Sequence, residues 1–126
     1  MYLRAVAAIK LHGARVASSA AGTEVDLQKY FVNPGKREMK ATVQPILTGS
    51  DTGTFAYKMQ ESNTTVDTDF SDISGATVAA MPDSDSPFDV SQIHFFTAKR
   101  YVRGYVTLSA GAYVVAATLF AVKRDA

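Results

Sequence analysis

The sequence predicts an all-β fold: an antiparallel β-sandwich, jelly-roll-like or Ig-like, with about eight strands. Three observations carry that expectation. Apolar residues recur with period two in residues 38–43 and 54–61. Turn-rich segments such as TGSDTG (48–53) and AGA (110–112) separate the apolar runs. Helical periodicity is confined to residues 2–11, where Leu3, Val6 and Ile9 share a helical face but the Val and Ile content suits a strand as well.

In residues 38–43, Met39, Ala41 and Val43 fall on one face and Lys40 and Thr42 on the other. Residues 54–61 set Phe55, Tyr57 and Met59 against Ala56, Lys58 and Gln60. With TGSDTG between them, these two strands are expected to form a hairpin, and Pro45 belongs at an edge, a bulge or a strand end. Residues 100–109 and 113–123 flank a three-residue connection, which predicts a second hairpin. The last strand is apolar on both faces, so it belongs mid-core or at a subunit interface. Further strands are expected at 91–98, 76–81 and 22–27.

A chain of 126 residues and 13.5 kDa has room for one core. The division expected is residues 1–21 as an N-terminal arm or first strand and 22–126 as a single sandwich domain. The first twenty residues carry Arg4, Lys10 and Arg15 without an acid, which imitates a targeting peptide, but Lys10 and His12 interrupt the apolar run. No apolar run reaches the roughly 20 residues a bilayer requires, so no membrane partner is expected. A net charge of +1 gives no general case for nucleic-acid binding. With no cysteine, disulfides and thiolate metal sites are excluded.

Catalytic patterns are missing. The chain has two histidines, His12 and His94, and neither begins an HExxH motif. Nothing matches a GxSxG elbow, a phosphate-binding P-loop or a GxGxxG turn, so no catalytic residue and no cofactor are expected. Asp67, Asp69 and Asp72 form D-x-D-x-x-D, a spacing that raises a calcium site. An EF-hand counted from Asp67 needs Gly at position six and Glu at position twelve, where this chain has Asp72 and Val78. A solvated acidic loop is the preferred reading, and no metal ligand is assigned.

Charge is nonetheless polarised along the chain. Residues 61–90 hold seven acids and no Lys or Arg, while all thirteen basic residues lie on either side. That polarity suits complementary contacts between neighbouring subunits. Tyr101, Arg103 and Tyr105 share a strand face, and an exposed Tyr/Arg ladder of this kind suits a protein contact better than another ligand.

The order of the pieces carries a resemblance. A GTEVDL segment opens the domain, followed by FAYKMQES, a polar loop, FSDISGATV, YVRGYV, and a final apolar strand ending in Lys-Arg. Covering most of residues 22–124, this resembles the small virion proteins encoded among the structural genes of tailed phages and prophages, and among them capsid decoration (cement) proteins. Many of those proteins have a tight Asp/Gly turn followed by Trp where this chain has the longer loop 63–69 followed by Phe70. The resemblance implies a non-catalytic protein on the capsid surface of a virion, made in the bacterial host cytoplasm. Its implied partners are the major capsid protein and copies of itself, as a homotrimer. Contacts are then expected from the arm (Tyr2, Leu3, Arg4), the basic turn (Asn33, Lys36, Arg37) and the Tyr101/Arg103/Tyr105 face. A head–tail connector or tail component is one alternative, and a carbohydrate- or ligand-binding sandwich module is another.

Overall fold

A computed structural model describes residues 2–16, 18–29, 36–47, 54–82, 91–109 and 113–125, giving backbone alone for 2–8, 14–16, 47, 79–82, 113 and 121–125. Nine strands appear among the described residues: β1 (Tyr2–Val16), β2 (Ala20–Ala21), β3 (Val25–Asp26), β4 (Arg37–Leu47), β5 (Thr54–Ser62), β6 (Ser71–Pro82), β7 (Ser91–Thr97), β8 (Tyr101–Leu108) and β9 (Tyr113–Asp125). Every pairing is antiparallel. One sheet runs β1-β9-β4-β7, and the other β2-β8-β5-β6 with β3 also on β8. The molecule is an antiparallel β-sandwich.

Alternation predicts correctly which side chains turn inward. Met39, Ala41 and Val43 from β4 meet Phe55, Tyr57 and Met59 from β5, all six essentially inaccessible. Val102 and Val106 of β8 and Val115, Ala117 and Leu119 of β9 complete the centre of the core. What alternation does not encode is the partner. The two expected hairpins do not form: β4 pairs with β7 and β9, β5 with β6 and β8, and β8 and β9 lie in different sheets. Each expected hairpin is instead a crossover between layers, which sit about 10 Å apart in a sandwich. Their connecting segments, 48–53 and 110–112, fall outside the described residues. Among the described residues, β5 and β6 are the only sequence neighbours that pair directly in the ladder; the repeated switching of sheets gives the winding a jelly-roll character.

The N-terminal segment is a strand rather than a helix or a loose arm. β1 runs along β9 from Tyr2↔Asp125 to Val16↔Tyr113 with two register shifts, and β9 lies between β1 and β4. The apolar character of β9 on both faces is thereby explained. Its inward residues fill the core, while Val114, Ala116 and Phe120 face outward.

The acidic stretch is less loop-like than its composition suggests. Glu61 and Ser62 finish β5, residues 63–70 form a loop with a 3-10 turn at Asp67–Asp69, and Ser71 already begins β6. The β5–β6 register slips between Lys58↔Thr77 and Gln60↔Asp72, so β6 carries extra residues there. Gly75, at φ 76°, supplies the left-handed backbone that this bulge needs. Asp83, Asp85 and Asp89 lie outside the described residues.

Candidate interaction site

Strand β8 builds the centre of the site. Its inward positions hold Val102, Gly104 and Val106, and its outward positions hold Tyr101, Arg103 and Tyr105 on the outer face of the second sheet. Period two predicts Arg103 as exposed, yet it is only 5 % accessible. The reason is loop 63–70, which folds back over it. Phe70 lies beneath the guanidinium, 4.1 Å from its carbon to the ring centroid. Arg103 Nε donates to Gln60 Oε1 at 2.8 Å, and Nη1 donates to Asp67 Oδ1 at 2.6 Å. The expected exposed Tyr/Arg ladder is therefore broken at its middle rung.

Its outer rungs are half-buried and already occupied on one side. Lys58 Nζ sits 5.3 Å from the Tyr105 ring centroid, and the Arg100 guanidinium 5.0 Å from that of Tyr101. Arg100 also donates twice to the Asp26 carboxylate, at 3.1 and 3.0 Å. Those hydrogen bonds hold the Asp26 carboxyl below its usual range and raise Arg100. Asp72 is likewise lowered, first by the Gln60 amide and then by Lys58, each at 3.0 Å. The face is a connected polar network, Lys58–Asp72–Gln60–Arg103–Asp67, flanked by two tyrosines.

Loop 63–70 is itself held by short-range hydrogen bonds. Ser62 Oγ accepts from Thr64 N, Thr64 Oγ1 donates to Asp69 Oδ2 at 2.6 Å, and Asn63 Oδ1 accepts from Arg100 N. The three carboxylates of D-x-D-x-x-D consequently take separate partners: Arg103 for Asp67, Thr64 for Asp69, and Gln60 with Lys58 for Asp72. Among the described residues, no three His, Asp or Glu groups converge as metal ligands.

The histidines stand apart. On β1, His12 Nδ1 and the Tyr57 hydroxyl are hydrogen-bonded at 2.8 Å, with the rings edge-on. His12 Nε2 is buried without a hydrogen-bond partner, and desolvation lowers the imidazole below its usual 6.5. Burial pushes Tyr57 well above the ordinary phenol value. A shallow depression borders this pair, lined by Lys10, Leu11, Gly13, Ala21, Gly22 and Thr23. On the opposite edge strand of the same sheet, His94 bonds Glu38 at 3.0 Å and packs edge-on to Phe96.

Of the remaining expected contact residues, Lys36 is exposed and lies 5.5 Å from the Phe96 ring centroid. Arg37 is not a solvent-facing contact: it points inward at the end of β4, is 9 % accessible, and donates to the Lys99 carbonyl. The side chains of Tyr2, Leu3 and Arg4, and all of Asn33, lie outside the described residues. Sequence reasoning missed Ile46 and Phe96, which are exposed on the outer face of the first sheet as is Val114 of the two-faced last strand, and Val66 on the acidic loop. Their signal was available, because each is a large apolar residue at an outward or loop position.

No family model matches the chain, and no curated protein matches it. Among solved structures, the chain is similar to a Clostridium thermocellum protein, the N-terminal endo-1,4-β-D-xylanase 10B, whose CBM22-1 and GH10 modules were crystallised with xylohexaose. Identity is 14 % and the TM-score 0.49, over 99 % of this chain and 25 % of that one. The chain thus spans a quarter of that protein's length, and nothing about its own ligand follows from a likeness that faint.

Proposed function

We propose that the chain is a virion structural protein that decorates a phage capsid. It binds the major capsid protein from outside, reinforces contacts between capsomers, and acts as a homotrimer without catalysis. The observation that carries this reading is where the motifs of the resemblance come together. FAYKMQES contributes Gln60, the segment after the polar loop contributes Phe70, and YVRGYV contributes Arg103, whose guanidinium touches both of the others. Short motifs of common residues gain weight when they build one structural unit. Phe70, standing where many such proteins have Trp, still offers the guanidinium an aromatic face.

In this reading Arg103 positions the loop, and contact falls to groups that remain accessible: Lys36, the outer edges of Tyr101 and Tyr105, and the loop itself. Such a protein works through buried area and complementary charge, for which a filled core and a pre-ordered surface are suited. The test adds purified protein to shells stripped of decoration, from the phage whose structural genes encode it. Co-sedimentation at hundreds of copies per particle, with raised heat resistance, is the expected result. About a dozen copies would favour a connector. Glycan binding by the isolated protein, with no shell binding, would favour the ligand-binding alternative.

A further inference from the structure

Strand β1 lies at the edge of its sheet, in ladder with β9 along one side only. That ladder is interrupted twice, between Ala5 and Ala7 and between Lys10 and His12. At the second interruption Leu11 is the extra residue, because Lys10 stands opposite Thr118 and His12 opposite Ala117. A bulge of this kind breaks strict alternation and re-aims a side chain. Leu11 is buried in the core, and its immediate neighbour His12 also reaches inward, to the Tyr57 hydroxyl of the opposite layer. Two ties between β1 and the rest of the molecule beyond β9 meet at this point. His12 Nδ1 and the Tyr57 hydroxyl are 2.8 Å apart, and the Leu11 carbonyl accepts from Thr23 N at 3.3 Å.

Nothing at this contact among the described residues balances a charge. His12 Nε2 is buried without a partner and Nδ1 is taken by a hydroxyl, so neither nitrogen touches a carboxylate. From β5 the imidazole meets Tyr57, whose hydroxyl is closed in behind by Gly104 of β8. From the segment between β2 and β3 it meets Gly22, where a Cβ would fall 2.4 Å from His12 Cε1. Across the β9 ladder stands Ala117. On β1 itself, Lys10 lines the depression beside the ring, and the nearest acid along the chain, Glu24, is exposed. A neutral imidazole fits these surroundings. An imidazolium would have two N–H donors and a single acceptor between them.

We infer that β1 is an acid-released strap: protonation of His12 frees the N-terminal strand from β9 and Tyr57 while β9-β4-β7 and the second sheet stay closed. Hydration of the imidazolium in the open form drives the step. The segment let go carries Arg4, Lys10 and Arg15 and no acid, so it leaves as a cationic arm. The sign follows from linkage. Burial holds the closed imidazole below 6.5, the value near which the open one titrates. Opening is therefore independent of pH above about 6.5 and grows as pH falls from there to the lowered closed value, by at most about 10-fold per pH unit. Asp26 and Asp72, held below 3.8, change charge outside that window. The strap is a property of the isolated chain and does not depend on the capsid reading.

The experiment is amide hydrogen exchange followed by NMR on wild type, His12→Gln and His94→Gln at about pH 7.5, about pH 6.5 and about pH 5, with rates corrected for intrinsic exchange. In wild type, β1 amides of the β9 ladder are expected to be at least about 10-fold less protected than those joining β4 to β9, because they open without the rest. Their protection is expected to fall roughly 10-fold from about pH 7.5 to about pH 5, and equally in His94→Gln. In His12→Gln the fall is expected to shrink below about 2-fold. β1 amides protected as well as those of β4 overturn the inference, since the strand then opens only with the whole molecule. So does β1 protection that ignores pH, or a fall that survives His12→Gln. Should His12→Gln not fold, the imidazole nitrogen resonances of wild type replace it. His12 is expected to titrate below 6.5, over the same pH range as the loss of β1 protection. A His12 that titrates at or above 6.5, or out of step with that loss, refutes the strap.

Discussion

Replacing Gly104 by Ala tests whether the core is built around the His12–Tyr57 pair. A Cβ at position 104 falls 1.7 Å from the Tyr57 hydroxyl oxygen, 2.3 Å from Cζ and 2.8 Å from Cε1. Ordinary contact is about 3.5–4.0 Å, so the ring must move by roughly 2 Å. It has nowhere easy to go. Tyr57 is 1 % exposed, with Phe55 stacked 6.2 Å away and His12 on its hydroxyl at 2.8 Å. Overpacking costs about 1–3 kcal/mol, and stranding the hydroxyl a further ~1–3 kcal/mol, so about 4 kcal/mol is expected. Among described glycines only Gly75 has positive φ, so the cost at Gly104 is steric and not one of backbone conformation. Urea unfolding measures it through the transition midpoint at constant slope. Tyr57→Phe alone is expected to cost about 1–2 kcal/mol, and Gly104→Ala to cost at least ~1 kcal/mol less in that background, because the nearest clashing atom is gone. If the two costs simply add to within about 0.5 kcal/mol, the steric account is wrong.

Other expectations follow from the same contacts. Arg103→Met is expected to cost about 3 kcal/mol and to open loop 63–70 to proteolysis, because it removes the donor to Gln60 and Asp67. Arg103→Lys should not rescue the variant, since an ammonium cannot reproduce two divergent hydrogen bonds while lying flat on Phe70. Gly75→Ala meets no atom within 4 Å, so its cost, about 1–2 kcal/mol, comes from φ alone, and Gly75→Asn should recover much of it in the same urea assay. Burial lowers His12 below 6.5, so between its folded and unfolded values the unfolded chain binds the extra proton. Its contribution to stability is complete above about pH 6.5 and is lost progressively as pH falls from there through the lowered folded value. Urea midpoints measured from about pH 7.5 to about pH 5 should show this fall in His94→Gln and a weaker one in His12→Gln.

The inward residues of the sandwich were legible because alternation is a local property. Met39, Ala41 and Val43, then Phe55, Tyr57 and Met59, are each assigned from a window of a few residues, and all six are buried. Pairing is not local. Two neighbouring strands with matching apolar faces can fold face to face across a core as readily as side by side, and only distant partners decide between these arrangements. For β4 those partners are β7 and β9, about fifty and seventy-five residues further along the chain, so no nearby turn signals them. The same limit explains β9: its two apolar faces mark an interior strand, but the neighbour β1 was ambiguous in sequence between helix and strand.

The site was legible in its residues and misread in their exposure. Period two places Tyr101, Arg103 and Tyr105 outward, and they do face outward; burial of Arg103 depends on loop 63–70, which lies about forty residues earlier in the chain. Composition made that loop look like a solvated acidic run. Yet its acids do three separate things: Asp67 caps the buried guanidinium, Asp69 closes the loop on Thr64, and Asp72 in β6 joins Gln60 and Lys58. A carboxylate spacing such as D-x-D-x-x-D implies a shared ligand only if the backbone curls its members toward one point. Here a 3-10 turn gives way to a strand between the second and third, and the set is pulled apart. The clue lay instead in Phe70, buried just after seven exposed residues, because an apolar ring closing a polar loop needs something to close upon. In this chain that is Arg103, and the neutralised, aromatic-backed guanidinium explains how an arginine can sit buried on an outward strand position without an unpaired charge.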